Sequence, residues 1–169
     1  MAKLIFLKDK KTVGTILYRS FVGILTIIKI MSTNKTLTMI KPTAYKNNCA
    51  GKIIEKIYEG GFHIAAMKLT KLSKEDAQKF YEVHAGRPFY DELVDFMSSG
   101  PIIAAVLEKE NAVEEYRNLI GATNPAEAAD GTIRKMCGTN IGENAVHGSD
   151  SDENAEIESN FFFSGRERY

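Results

Sequence analysis

Residues Ile102, Ile103, Ala104, Ala105, Val106 and Leu107 follow one another without a polar interruption. A run this short, rich in branched side chains and bounded by Gly100-Pro101 and a charged stretch, reads as a strand covered on both faces. The chain must then supply apolar helices for two sides of a sheet. It does. Thr36 to Ile40 is β-branched and apolar and stops at Lys41-Pro42, since proline ends ladder pairing. Ile53, Ile54, Ile57 and Tyr58 recur at helical spacing before Gly60-Gly61. Residues 62–72 alternate imperfectly as a further strand. Ser73, with an acid three residues on, opens a helix reaching about Tyr81. A short helix carries Phe89, Leu93 and Phe96, and another spans about residues 111–120. A long loop marked by Gly121, Pro125, Gly131 and Gly138 follows, then a last short strand over residues 144–147 and a helix to about Phe162, capped from residues 149–152. Strand, helix, strand, helix pair, strand, helix, loop, strand, helix is the order of a split βαβ, ferredoxin-like α+β sandwich, an antiparallel sheet with helices packed on it.

The chain has 169 residues, enough for one domain with a real core. Its 22 basic and 22 acidic side chains are unevenly placed: residues 1–30 hold six Lys or Arg against one Asp, leaving 16 against 21 for the body. An acidic body is a poor nucleic-acid binder, so a polyanionic ligand must be held by a few cations gathered at one place. In the first thirty residues the charge-free apolar run is about ten residues, short of the roughly 20 a bilayer span needs. It imitates a secretory signal but lacks a small-x-small cleavage pattern before Met31. Residues 1–34 are therefore expected to be an extension outside the fold, with Met31 as a natural start and residues 35–169 as the domain. A targeting peptide or an added strand are the alternatives. Cys49 and Cys137 show no metal-type spacing and read as reduced thiols of a cytoplasmic protein.

The chemistry concentrates in Asn144-Ala145-Val146-His147-Gly148-Ser149-Asp150-Ser151. There a lone histidine leaves an apolar run for a turn rich in hydroxyls and carboxylates, a layout for presenting one ring nitrogen as a nucleophile. No Gly-x-x-x-x-Gly-Lys-Ser/Thr and no Gly-x-Gly-x-x-Gly pattern occurs, which argues against P-loop and dinucleotide mechanisms. Asp150, Asp152 and Asn154 begin like a calcium loop, but Ala155 and Phe161 stand where glycine and glutamate are needed. Three histidines without paired spacing do not suggest zinc.

Several separated motifs, together covering about residues 35–169, resemble the nucleoside diphosphate kinase family. They are Thr38-Met39-Ile40-Lys41-Pro42, Phe80-Tyr81 with Arg87-Pro88-Phe89, Arg117 with Gly121-Ala122-Thr123-Asn124-Pro125, Gly131-Thr132-Ile133-Arg134, and the histidine segment. The resemblance implies reversible ping-pong transfer of the γ-phosphate of a nucleoside triphosphate, typically ATP, to a diphosphate such as GDP, through a phosphohistidine. It makes His147 the nucleophile, with Glu158 orienting it and Ser149 and Tyr81 beside it. Lys41, Arg117, Arg134 and Thr123 are implied phosphate ligands, Asn144 a partner of the sugar hydroxyl or nearby groups, and Phe89 the aromatic that stacks on the base. His84 is a weaker phosphate candidate. Mg²⁺ is implied as cofactor, held mainly by the nucleotide phosphates with no dedicated protein metal site. A homo-oligomer is implied, the short C-terminal end favouring a tetramer over a hexamer, with no nucleic acid or membrane required. A nucleotide-binding module without catalysis and a membrane-associated form are the rivals. Two departures from the family pattern stand out: Thr43 where aspartate is common, and Lys135-Met136-Cys137 after Arg134. They put the packing of two loops in question.

Overall fold

The computed structural model describes residues 34–169 and, upstream, two three-residue strands, β1 (Leu17–Arg19) and β2 (Leu25–Ile27). The chain divides into two units, Met1–Ser32 and Thr33–Tyr169. In the first, β1 and β2 pair antiparallel in a sheet of their own. Apart from these strands and Asn34, the expected extension over residues 1–34 lies outside the described residues.

The second unit holds a four-stranded sheet of β3 (Lys35–Ile40), β4 (His63–Lys71), β5 (Pro101–Glu108) and β6 (Val146–Gly148), in the order β4-β5-β3-β6. Every neighbouring pair is antiparallel. Because β5 is inserted between β3 and β4, the unit is the split βαβ, ferredoxin-like α+β arrangement expected. Seven helices accompany the sheet: α1 (Pro42–Lys46), α2 (Ala50–Glu59), α3 (Lys74–Phe80), α4 (Tyr90–Ser98), α5 (Ala112–Ile120), α6 (Ile133–Cys137) and α7 (Asp152–Phe162).

The unbroken apolar run of β5 is explained by what it touches. Ile102, Ala104 and Val106 face one layer with Leu37 and Met39 of β3 and with Ala77, Met97 and Phe162 from helices. Ala105 and Leu107 face the other, with Ile53, Ile57, Tyr116 and Ile133. Period-two alternation thus buries both sides of one strand.

Local chemistry sets the boundaries. Ser73 and Asp76 form a reciprocal capping box at α3. Ser151 accepts from the Asn154 backbone N–H at the start of α7. Pro42 both ends β3 and occupies the first turn of α1, where its missing N–H costs nothing, so a helix stands where only a strand stop was expected. The loop after α5 is not featureless, since α6 lies inside it. The last strand starts two residues later than expected because Ala145 takes a left-handed conformation (φ 69°) that breaks pairing just before it.

The expectation of two reduced thiols is corrected. Cys49, at the N-cap of α2, and Cys137, the last residue of α6, form a disulfide with a Cα–Cα distance of 6.2 Å. They are 88 residues apart in sequence, and nothing local in either segment announces the other.

Candidate active site

His147 occupies the middle of β6, opposite Met39 of β3. Its backbone is fixed from the neighbouring strand, where the Thr38 hydroxyl donates to the His147 carbonyl at 3.0 Å. That hydroxyl also lies 2.6 Å from the buried Tyr116 phenol, which is then the donor to it. The side chain is fixed from α7: Nε2 lies 2.9 Å from Glu158 Oε2. Ser149 Oγ donates to the same carboxylate oxygen at 2.5 Å and accepts from the Leu37 backbone N–H at 3.1 Å. A carboxylate on Nε2 favours the tautomer with its proton there, leaving the Nδ1 lone pair free, and Nδ1 has no hydrogen-bond partner among the described residues. Phe80 and Tyr81 meet the imidazole edge-on, with ring centroids 5.4 and 6.1 Å away. The Tyr81 hydroxyl is buried and unpartnered among the described residues, and its acidity is suppressed by burial and by the charge of Glu158.

The cations are buried beside one another. Lys41, at the end of β3 and 7% exposed, gives its backbone N–H to the Ala145 carbonyl and its ammonium to Asn144 Oδ1 at 2.7 Å. Burial, with a smaller contribution from the charge of Arg134, lowers its pKa to about 8. Arg134, 9% exposed on α6, donates from Nη1 to the Gly121 carbonyl at 2.9 Å, while its Nε is buried without a partner among the described residues. Burial and then the charge of Arg117 hold its pKa below the usual guanidinium value. Gly121 makes that carbonyl available: its φ is +82°, and a Cβ there would stand 2.6 Å from the Thr132 hydroxyl. Asn144 links Lys41 to the loop after α5, since its Nδ2 donates to the Thr123 carbonyl at 3.1 Å.

These groups border a cleft of about 780 Å³. Of the residues singled out from sequence, Lys41, Tyr81, His84, Phe89, Arg117, Thr123, His147 and Glu158 line it. Arg134, Asn144 and Ser149 stand behind that lining, bonded to it or beside it. Phe89 is 49% exposed and 5.6 Å from the His84 ring, a flat face at the cleft mouth rather than a core side chain. Val83 and Ile141 also line the cleft and were not anticipated, because a single 3-10 turn at Val83 and a bend at Ile141 offer no periodicity to mark them. Among the described residues no group of three His, Cys, Asp or Glu side chains is placed to hold a metal ion, and no helix is long and apolar enough to cross a membrane.

Both departures from the family pattern find partners. The Thr43 hydroxyl donates to Glu143 Oε2 at 2.8 Å, where an aspartate would bring a second carboxylate against the first. Cys137 bonds Cys49.

An antiparallel α+β sheet with an oriented imidazole at a cleft beside buried cations suits the class of phosphoryl-transferring enzymes. Residues 34–168 match the family model described as nucleoside diphosphate kinase. The nucleoside diphosphate kinase of Flavobacterium psychrophilum is 67% identical over 139 residues, covering 82% of this chain and all of that one, and that of Persephonella marina is 59% identical, covering 79% and 96%. Among solved structures, the nucleoside diphosphate kinase of Aquifex aeolicus superposes with a TM-score of 0.79 at 46% identity, covering 80% of this chain and 99% of that one. The halophilic enzyme of Halobacterium salinarum, solved with CDP, gives 0.77 at 34%, covering 81% and 91%. The chain belongs to the nucleoside diphosphate kinase family and is a phosphotransferase.

Proposed function

We propose that this chain exchanges the terminal phosphoryl group between nucleoside tri- and diphosphates, ribo and deoxy, with His147 as the covalent carrier. The observation that carries the reading is the imidazole held at Nε2 by Glu158 while Nδ1 is left unbonded at the cleft. In the first half-reaction the Nδ1 lone pair attacks the γ-phosphorus, the bond from phosphorus to the β–γ bridging oxygen breaks, and the diphosphate leaves. The second half-reaction reverses these steps on another diphosphate. Glu158 stabilises the imidazolium character that develops at Nε2, and Ser149 keeps that carboxylate aimed. Tyr81 packs beside the ring.

Phosphoryl transfer needs positioning and charge neutralisation more than covalent machinery. Lys41, Arg117 and Arg134 supply the charge, and Thr123 a hydroxyl for a phosphate oxygen. Asn144 orients Lys41 and adds a polar contact near the sugar. Phe89 offers a π-face to whichever base arrives, which predicts broad base tolerance. The CDP bound by the Halobacterium salinarum relative is in keeping with a nucleotide in this cleft. The isolated carboxylates along the cleft fit Mg²⁺ held by the phosphates, because this ion keeps several waters and needs few protein ligands. Bound so, it neutralises phosphate charge. The rest of the reading is a homo-oligomer, tetramer before hexamer, acting on nucleotide pools in the cytoplasm with no need of nucleic acid or membrane, and with residues 1–34 outside the catalytic domain.

The test is labelled ATP supplied with unlabelled GDP. Labelled GTP should form, and His147→Ala should reduce its formation by at least about 10⁴-fold. A variant that keeps its rate would remove the nucleophile from His147.

A further inference from the structure

We propose that Cys49 and Cys137 are a reversible redox pair: the bonded state holds α6 in place, and reduction weakens nucleotide binding. The inference rests on reading the cleft as a nucleotide site. Helix α6 has only five residues, too few to be stable alone, yet it carries Arg134. Its C-terminal residue is Cys137, and the next residue, Gly138, gives its N–H to the Arg134 carbonyl. The other end of the bond, Cys49, gives its N–H to the Ala44 carbonyl of α1, the helix that begins directly after Lys41. One covalent link therefore joins the segment following Lys41 to the segment following Arg134. These are the two buried cations whose charges oppose each other in the absence of an anion. A cradle of like charges tends to spread, and the link resists that spreading. Both cysteines sit partly buried at the margin of the core rather than within it.

The chemistry is thiol–disulfide exchange with a dithiol reductant. One thiolate of the reductant attacks a sulfur of the protein disulfide, the mixed disulfide forms, and the reductant's second thiolate displaces the protein sulfur. The protein gains two electrons and two protons and becomes a pair of thiols; the reductant leaves as its cyclic disulfide. The reverse reaction closes the switch.

The experiment uses the full chain in two preparations, equilibrated with oxidised or with reduced dithiothreitol. Thiols are counted with a chromogenic reagent, and ADP binding is titrated by calorimetry. No reactive thiol is expected in the first preparation and two in the second, with ADP bound roughly three- to tenfold more weakly after reduction. Cys49→Ala and Cys137→Ser should bind like the reduced chain and ignore dithiothreitol. Two reactive thiols under oxidising conditions would overturn the proposal. So would equal ADP affinity in two states whose thiol counts prove the bond made and broken. Because the reductant acts on the unsubstituted chain, the result does not depend on whether either variant folds. If labelled phosphate never passes from ATP to GDP in either state, the functional reading fails, while the ADP titration still decides the switch.

Discussion

The two walls of the cleft differ in how far the protein satisfies them. On the His147 side one chain of groups is answered from within: the imidazole has its carboxylate, the carboxylate its hydroxyl, and the hydroxyl a backbone N–H of the central sheet, and only the Tyr81 hydroxyl beside them is buried without a partner among the described residues. On the cation side Lys41 has only neutral acceptors, Arg134 keeps a buried Nε without a partner among the described residues, and burial loosens the hold of both on their protons, helped at Lys41 by the charge of Arg134 and at Arg134 by that of Arg117. The first wall already fixes its imidazole. The second, on the proposed function, is completed by the phosphates of a nucleotide. A nucleophile must be aimed before it meets substrate, whereas a phosphate site gains by leaving its charges uncompensated until binding.

The comparison can be broken most forcefully at Lys41. Lys41→Met, which keeps length and loses charge, should lower kcat/KM by about 10²–10³-fold in steady-state phosphoryl exchange. A loss under tenfold would mean that the cation wall is not the anion site. Next comes the His147 wall. Glu158→Gln should lower kcat by roughly 10²-fold with little change in KM, because misaim of the ring affects the chemical step more than binding. An unchanged kcat would show that the carboxylate does not orient His147.

The smallest effect is the sharpest test of uncompensated charge. Free Lys41 titrates at about 8, and a polyphosphate beside it favours the charged form and raises that value. Binding at about pH 8.5 should therefore take up a fraction of a proton, and affinity should decline as pH rises past about 8, by at most about tenfold per unit. Near pH 7, where Lys41 is protonated both free and bound, the uptake should vanish. Calorimetric titration in two buffers of different ionisation enthalpy reads this directly, and buffer-independent heats at the higher pH would contradict it.

Much of this was legible along the chain because it is written in short-range chemistry. The β5 run, the Ser73 cap, the Lys41-Pro42 strand end and the histidine turn each depend on neighbours within a few residues. Their motifs also sufficed to assemble a candidate site before any fold was known. What escaped was long-range. The Thr43 bond to Glu143 spans 100 positions and the disulfide 88, and no local pattern in either partner encodes the other. The five residues of α6 escaped for a different reason: between glycines and Pro125 they offer too few turns for a helical period to appear. The bonds of the Asn144 amide to Lys41 and to the Thr123 carbonyl are long-range too, and visible only once the loops close.

On the proposed mechanism the Ser149 hydroxyl, shared between a backbone amide of β3 and the acid behind His147, makes turnover sensitive to how the sheet zipped. Were β3 to dock one position out of step, side chains would exchange faces, the amide reaching Ser149 would no longer be that of Leu37, and the imidazole would lose its aim. A misthreaded copy would thus be compact but silent, and catalytic competence doubles as an internal audit of correct strand alignment.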